Sequence, residues 1–457
     1  VSASPRPTPS TARPYNFPEI ERHRLSNGVR ILVAQMPRLP LVTVLALVDA
    51  GATCDPKGAE GTASLTARTL TEGTASLDGA ALTDRLEALG TSLDGYADWD
   101  STAARFTVMP SRLAEAFTLF TDVLRAPAFP TTDVARRRDE RLADLTQRLS
   151  EPRGLADQRF AGFLYAPGSR YARSAGGTLD TVATLDADAV RDFHGTRYSP
   201  AVTTLIFVGA VTPREAVRLS ESALGDWHAP VAIGGAGPAS ERSVERRTVI
   251  VDKPDAPQTE LRIGHIGVPR SHPDHLRIVV MNALLGGLFS SRINLNLRER
   301  HAFTYGASSG FEWRRDAGPF VVSTAVKSEV TARAVEEILR EIDGMRAAAP
   351  DANELALATD YLGGVFPLRY ESTDAVAGAI ANAAIFDLPH DWFLSYRRRV
   401  RAITAEEVLA AARVHLDPSR LLVLALGDPS VIGAPLEALA HGPMRVVAAT
   451  HDPAEEE

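Results

Sequence analysis

A chain of 457 residues is longer than one hydrophobic core usually organises, so two or more domains are expected. A net charge of −8 with no dense Lys/Arg cluster excludes a nucleic-acid surface, and no apolar run approaches the roughly 20 residues that span a bilayer. Cys54 is the sole cysteine, which rules out an intrachain disulfide.

Residues 1–19 are rich in Pro, Ser and Thr and are expected to form an extended tail. Such tails often follow a removed export signal, which points to a periplasmic or otherwise exported protein, with the cytoplasm as the alternative. Strand patterns then cover residues 29–33 and 41–48, and helical patterns residues 62–71 and 80–89. An alternating strand is predicted over 103–109. Ser111 is placed to cap a helix running through Leu124, and Thr132 one that ends near Ser150, before Pro152. The runs Arg136-Arg137-Arg138 and Arg397-Arg398-Arg399 lie beside helical patterns and are expected to be solvated faces. Strands and helices come in mixed runs, which favours α+β with antiparallel sheets over a doubly wound parallel sheet.

A long-range repeat follows. The unit from Leu185 through Val190, Tyr198-Ser199-Pro200 and strand 203–208 to Gly209 returns as Ile403 through Val408, Leu416-Asp417-Pro418 and strand 421–426 to Gly427, always 218 positions later. Each copy carries a helix N-cap (Asp186, Thr404), a helix, an X-Pro stop and an apolar strand. Agreement of a whole unit at one offset predicts a duplicated domain. The halves are residues 20–228 and 247–440. Between them lies a Gly/Pro/Ser linker, 229–246, and after them a tail, 441–457, ending in an acidic run.

Several segments resemble the M16 peptidases, the family of pitrilysin and mitochondrial processing peptidase. In the first half they are Leu25-Ser26-Asn27-Gly28-Val29-Arg30, Val48-Asp49-Ala50-Gly51-Ala52, Gly61-Thr62-Ala63, Tyr171 with Gly176-Gly177-Thr178, Phe193-His194 and Tyr198-Ser199-Pro200. In the second half they are Leu285-Gly286-Gly287, Ser290-Ser291-Arg292, Leu297-Arg298-Glu299 and Tyr305-Gly306. The resemblance implies two homologous α+β domains, each a mainly antiparallel sheet flanked by helices, the duplicated M16/LuxS-like metalloenzyme fold.

In that family Gly-Thr-Ala leads into the inverted zinc motif His-x-x-Glu-His, and here the motif is absent. Placed on the pattern, the zinc histidines fall at Ser64 and Arg68, the catalytic glutamate at Ala67 and the third ligand at Asp144. Two histidines one helical turn apart hold the metal while the glutamate activates its water. Serine is a poor zinc ligand, arginine stays protonated and alanine offers no base. No metal is therefore expected in this chain, and a charge pair between Arg68 and Asp144 could fill the vacated place. His272 and His275 form the one close histidine pair and are expected in a solvated helix-entry turn rather than as ligands.

The resemblance further matches Arg298 and Tyr305 to an Arg/Tyr pair that, in several M16 enzymes, points into the catalytic chamber and binds substrate or the oxyanion. It places a peptide-binding strand edge at residues 93–98, where Asp94-Gly95 stands in place of the usual Asn-Ala; Tyr96 and Trp99 are expected to pack. The reading is a non-catalytic subunit of a heterodimer, whose partner carries His-x-x-Glu-His and the zinc and shares peptide substrates with it. A structural subunit akin to the core proteins of the respiratory bc1 complex is the first rival. The second is a serine hydrolase, since Gly306-Ala307-Ser308-Ser309-Gly310 matches Gly-x-Ser-x-Gly. The expected order of helix before and strand after is the reverse of a nucleophile elbow.

Overall fold

The computed structural model describes residues 14–230, 245–254 and 256–453. Most of the expected linker, the first thirteen residues and the last four lie outside the described residues. Two six-stranded sheets organise the rest. The first contains β1 (Ile20–Arg24), β2 (Arg30–Gln35), β3 (Val42–Val48), β4 (Asp94–Ala97), β5 (Thr102–Val108) and β6 (Thr203–Gly209), ordered β1-β2-β6-β3-β5-β4. The second contains β7 (Arg247–Asp252), β8 (Thr259–Ile266), β9 (Ala307–Phe311), β10 (Pro319–Val326), β11 (Leu422–Gly427) and β12 (Met444–Ala448), ordered β12-β7-β11-β8-β10-β9. Leaving aside the outer strands β1 and β12, the two orders are the same strand for strand. The repeat seen in sequence is the helix Ala187–Arg197 with β6 in one half and the helix Ala405–His415 with β11 in the other. Asp186 caps the first helix by accepting from the amides of Asp188 and Ala189; Thr404 and Glu407 form a capping box on the second.

Antiparallel neighbours predominate, but both sheets are mixed: β2 runs parallel to β6, and β7 runs parallel to β11 and β12. The strands of these pairs are separated by long stretches of chain, long enough for the crossover that parallel pairing requires. β12 corrects the expectation of a tail after residue 440, since Val447 is buried against the second sheet. At the other end, Phe17, expected in the N-terminal tail, is 4 % exposed and stacks on Phe393 at 4.0 Å.

The central strands are buried on both faces, and strict alternation decides what each face meets. Val42, Val44, Ala46 and Val48 of β3 join the first half's own core, whereas Leu45 and Leu47 face the large core built mainly by the second half. The helix Thr373–Ile385 of the second half covers this outer face of β3 and β6. Reciprocally, the helix Pro152–Leu164 of the first half lies on β8 and β11, with Leu155, Phe160 and Phe163 packed against Val249, Val251, Leu424 and Leu426. Each half thus lends a helix to the other's sheet. Thr43 donates to the Thr373 hydroxyl at 2.8 Å, and Arg105 pairs with Asp374 at 2.8 Å across the same contact.

One segment, His275–Arg300, has the length and apolarity to cross a bilayer, but 56 % of its apolar window is buried inside the fold. Leu288 and Ser291 adopt extended backbone angles that interrupt it, so it forms core helices. His275, at its start, packs edge-on to Trp313 with ring centres 4.1 Å apart. Burial, followed by the charges of Arg270 and Arg399, drives the His275 pKa down to about 2. The folded pKa lies below the unfolded value, so the unfolded chain takes up a proton that the folded chain refuses. Stability from this group is complete above about pH 6.5 and is lost as the pH falls below it, at up to about 1.4 kcal/mol per pH unit. Urea unfolding should therefore show a loss between pH 7 and pH 5 that is roughly 2 kcal/mol smaller in His275→Gln than in the wild type; equal losses would contradict the assignment.

Candidate functional site

The helix Thr62–Thr69 begins where the zinc motif would lie. Its first turn is held by Asp55, whose carboxylate accepts from the amides of Gly61 and Ala63 at 2.8 and 2.7 Å and from Arg170 at 2.8 Å. Along the helix Ser64 is half-buried, Ala67 is buried and Arg68 is exposed. The long helix Thr131–Ser150 runs beside it and presents Asp144, and the Arg68 guanidinium meets Asp144 at 3.3 Å. Both side chains are well exposed, so the pair adds little stability. Its chemical consequence is larger, because the one carboxylate at the site is engaged by a permanent cation. With serine and arginine at the histidine positions and alanine at the base position, these side chains do not fit a zinc ion.

Arg136 and Arg137, expected to be solvated, both reach back to the buried carboxylate of Glu72 at the end of the Thr62–Thr69 segment. Trp99 packs as expected, edge-on to Tyr171 at 5.0 Å and beneath the Arg314 guanidinium at 4.2 Å, while Tyr96 is half exposed on β4. β4 forms the edge of the first sheet. A Cβ on Gly95 would lie 2.3 Å from the Ala67 carbonyl oxygen, so the departure from alanine at this position lets the helix sit directly against the strand.

On the second half, the helix His275–Asn282 passes into a π-helical turn, Ala283–Gly287, breaks, and resumes as Arg292–Asn294 and a second π-helical turn, Leu295–Arg300. Such turns recur at functional positions. Gly286 is required by close approach: a Cβ there would lie 2.4 Å from the Ser309 hydroxyl oxygen. Asn294 ties the broken segment to the edge strand, donating to the Phe289 carbonyl at 2.6 Å and accepting from the Ala307 amide at 3.0 Å. Arg292 is a structural residue, held by Glu354 through two bonds of 2.6 and 2.7 Å.

These elements wall an open cleft of about 530 Å³ beside β9, the edge of the second sheet. Tyr305 lines the cleft and is 94 % exposed. Arg298 is not among the lining residues. The Arg298 guanidinium carbon lies 4.3 Å from the centre of the Phe289 ring, itself a cleft residue, and Nη1 is 3.5 Å from a Glu299 carboxylate oxygen without forming a hydrogen bond. Arg153 and Arg262 also line the cleft, Arg262 being held by Asp157 and Glu260. Arg153 and Asp157 arrive on the helix lent by the first half.

Comparison with known sequences now decides the family. The profile described as "Insulinase (Peptidase family M16)" matches residues 30–174, and "Peptidase M16 inactive domain" matches residues 184–362. The chain belongs to the M16 peptidase family. An uncharacterized zinc protease of Streptomyces coelicolor is 23 % identical over 403 residues, 86 % of each chain. A probable mitochondrial-processing peptidase subunit beta of Arabidopsis thaliana is 22 % identical, covering 90 % of this chain and 78 % of that protein. The M16 inactive-domain protein of Pseudomonas fluorescens superposes with a TM-score of 0.84 at 23 % identity, covering 90 % of this chain and 98 % of that one. A Helicobacter pylori protease gives the same TM-score at 17 % identity, with 90 % and 100 % covered.

Within this M16 fold the sequence-predicted residues divide between the halves: Ser64, Ala67, Arg68 and Asp144 lie in the first, with Arg68 and Asp144 in contact, and Arg298 and Tyr305 lie in the second, with Tyr305 alone lining the cleft. The serine motif lies on β9 and is followed by β10 rather than by a helix, and Ser309 donates to Asn282 at 2.7 Å, so no nucleophile elbow is formed. His272 does not pair with His275. Its ring comes together with Asp274 and His415, their ligand atoms lying within 4.8 Å of one another. Protein groups already engage them: the Asp274 backbone amide donates to His272 Nδ1 at 3.1 Å, His415 Nε2 lies 3.0 Å from Asp274 Oδ2, and Arg277 donates to Asp274 Oδ1 at 2.6 Å. Sequence reasoning missed Asn294, Arg153 and Arg262. The first sits between two recognised motifs; the others enter the cleft only through the exchange of helices.

Proposed function

We propose that this chain is the non-catalytic, substrate-gripping subunit of a heterodimeric M16 zinc peptidase, whose partner carries His-x-x-Glu-His. The observation that carries this reading is the contrast between the two halves. The metal corner is closed by the Arg68–Asp144 pair, while the cleft of the second half is open and presents a fully solvated phenol. An exposed aromatic with a polar tip suits a surface that another chain covers. The outer edge of β9 is already engaged by Asn282 and Asn294, so a peptide in the cleft would meet side chains rather than add as a further strand. Tyr305 and Arg298 would then supply hydrogen-bond donors to substrate backbone or to the charge that develops on its carbonyl. A relative named as a subunit of a processing peptidase is consistent with divided labour.

One observation favours the rival, a scaffold without a part in peptide cleavage: Arg298 rests on Phe289 instead of lining the cleft. Reconstitution separates the two. The chain alone, supplied with zinc, should show no chelator-sensitive cleavage of a quenched unfolded peptide, and a His-x-x-Glu-His partner should gain activity when the chain is added. Chelator-sensitive turnover by the chain alone would overturn the non-catalytic assignment. A partner whose turnover ignores the chain would leave the scaffold.

A further inference from the structure

Five arginines are buried among the described residues, and four of them have evident partners. Arg141 donates to the Gly176 carbonyl, Arg159 to that of Ala449, Arg262 pairs with Asp157 and Glu260, and Arg314 with Glu312. Arg270 is the exception. It is 6 % exposed, and among the described residues its guanidinium makes no ion pair and no hydrogen bond. It lies over Trp392, 4.6 Å from the ring centre. Burial lowers its pKa to about 10, which leaves it charged at neutral pH. A buried charge without a counter-ion is strongly unfavourable and is retained where something else supplies the opposite charge.

The surroundings indicate what supplies it. Arg270 lines a cavity of about 450 Å³ between the helix His275–Asn282 and the helices Ala352–Val365, Thr373–Ile385 and Trp392–Arg401. Its lining includes a second cation, Arg369, but no Asp or Glu. His275 contributes a ring whose Nδ1 is buried without a partner. Trp313, Trp392 and Tyr396 supply flat apolar walls. The volume is that of a small-molecule site, and its lining mixes cationic and aromatic groups. We propose that this cavity binds a small arylcarboxylate, with the carboxylate on Arg270 and the ring among Trp313, Trp392 and Tyr396. Charge-assisted bonds to a guanidinium and stacking on aromatic faces are the two interactions the cavity offers, and an aromatic acid uses both. The ligand is either a free acid or the aromatic C-terminus of a peptide.

The test uses the full chain. Phenylacetate, phenylacetamide and N-acetylphenylalanine are titrated against it by calorimetry and tryptophan fluorescence. Phenylacetate should bind saturably, and phenylacetamide at least tenfold more weakly. Arg270→Gln should weaken phenylacetate at least tenfold. Because removing a buried charge can also alter the fold, Ala379→Leu serves as the second variant; it narrows the cavity and leaves the charge, and should abolish binding with an unchanged circular dichroism spectrum. Tighter binding of N-acetylphenylalanine than of phenylacetate assigns the site to peptide ends, and weaker binding assigns it to free acids. Absence of saturable phenylacetate binding, equal affinity for the amide, or wild-type affinity in either variant overturns the proposal.

Discussion

Replacing Tyr305 by phenylalanine is expected to lower the turnover of the reconstituted peptidase by about 10²–10³-fold, the usual effect of removing one donor aimed at a developing oxyanion. The substitution deletes only a hydroxyl from a side chain that is 94 % exposed, so the stability of the chain should be unchanged. Zinc content and complex formation should be unchanged as well, which separates a chemical role from an assembly role. Arg298→Ala is the companion experiment and tests a movement. In the uncombined chain the guanidinium rests on Phe289. Such a contact at a partly exposed site is worth only about 0.5–1 kcal/mol, an amount that substrate binding readily exceeds. If Arg298 swings into the cleft, its removal should cost a similar factor in kcat. A loss of less than about threefold in both variants would remove the pair from the reaction and leave the scaffold reading. kcat on a quenched peptide, zinc by mass spectrometry and elution as a complex are the three readouts.

What could be foreseen from sequence was what short segments encode by themselves. The unit repeated at 218 residues was legible because a cap, an apolar helix face, a proline stop and an apolar strand are each local signals. The loss of the zinc side chains was equally local, since Ser64, Ala67 and Arg68 lie within two turns of one helix. Long-range partnerships were not legible. Arg136 and Arg137 look solvated in sequence because nothing near them shows that they reach Glu72, 64 and 65 residues away. β12 has the pattern Met-Arg-Val-Val-Ala with Val447 as its one buried residue, so no two-residue period marked it as a strand. The exchange of helices leaves no trace in either helix's own pattern, because an apolar face does not record which sheet it covers. Arg262 was overlooked for a related reason: a charged residue in a strand suggests a solvated face, yet here one of its two counter-ions, Asp157, comes from the other half.

Asp55→Ala is expected to destabilise the chain by about 3–5 kcal/mol, the loss typical of breaking a buried ion pair from one side. The Asp55 side chain is 0 % exposed and that of Arg170 is 7 % exposed. Burial raises the Asp55 pKa, and Arg170 together with the Gly61 and Ala63 amides opposes the rise. Those three donors favour the charged carboxylate, and alanine would leave the two amides without an acceptor and Arg170 without its counter-ion. Arg170 also donates to the carbonyls of Ala52, Ser174 and Ala175 at 2.9, 2.9 and 3.0 Å, so the pair gathers the loop after β3, the loop before the Gly176-Gly177-Thr178 turn and the start of the helix Thr62–Thr69. This gives a physical reason for segments that match the M16 pattern in a half without zinc side chains: they hold the helix in place whether or not it carries a metal. Urea unfolding supplies the measurement. A loss near 5 kcal/mol would be a large fraction of the stability of most domains. A loss below about 1 kcal/mol, the range of a solvated pair, would show that the helix keeps its position without this latch. In that event the motif's persistence would need another cause.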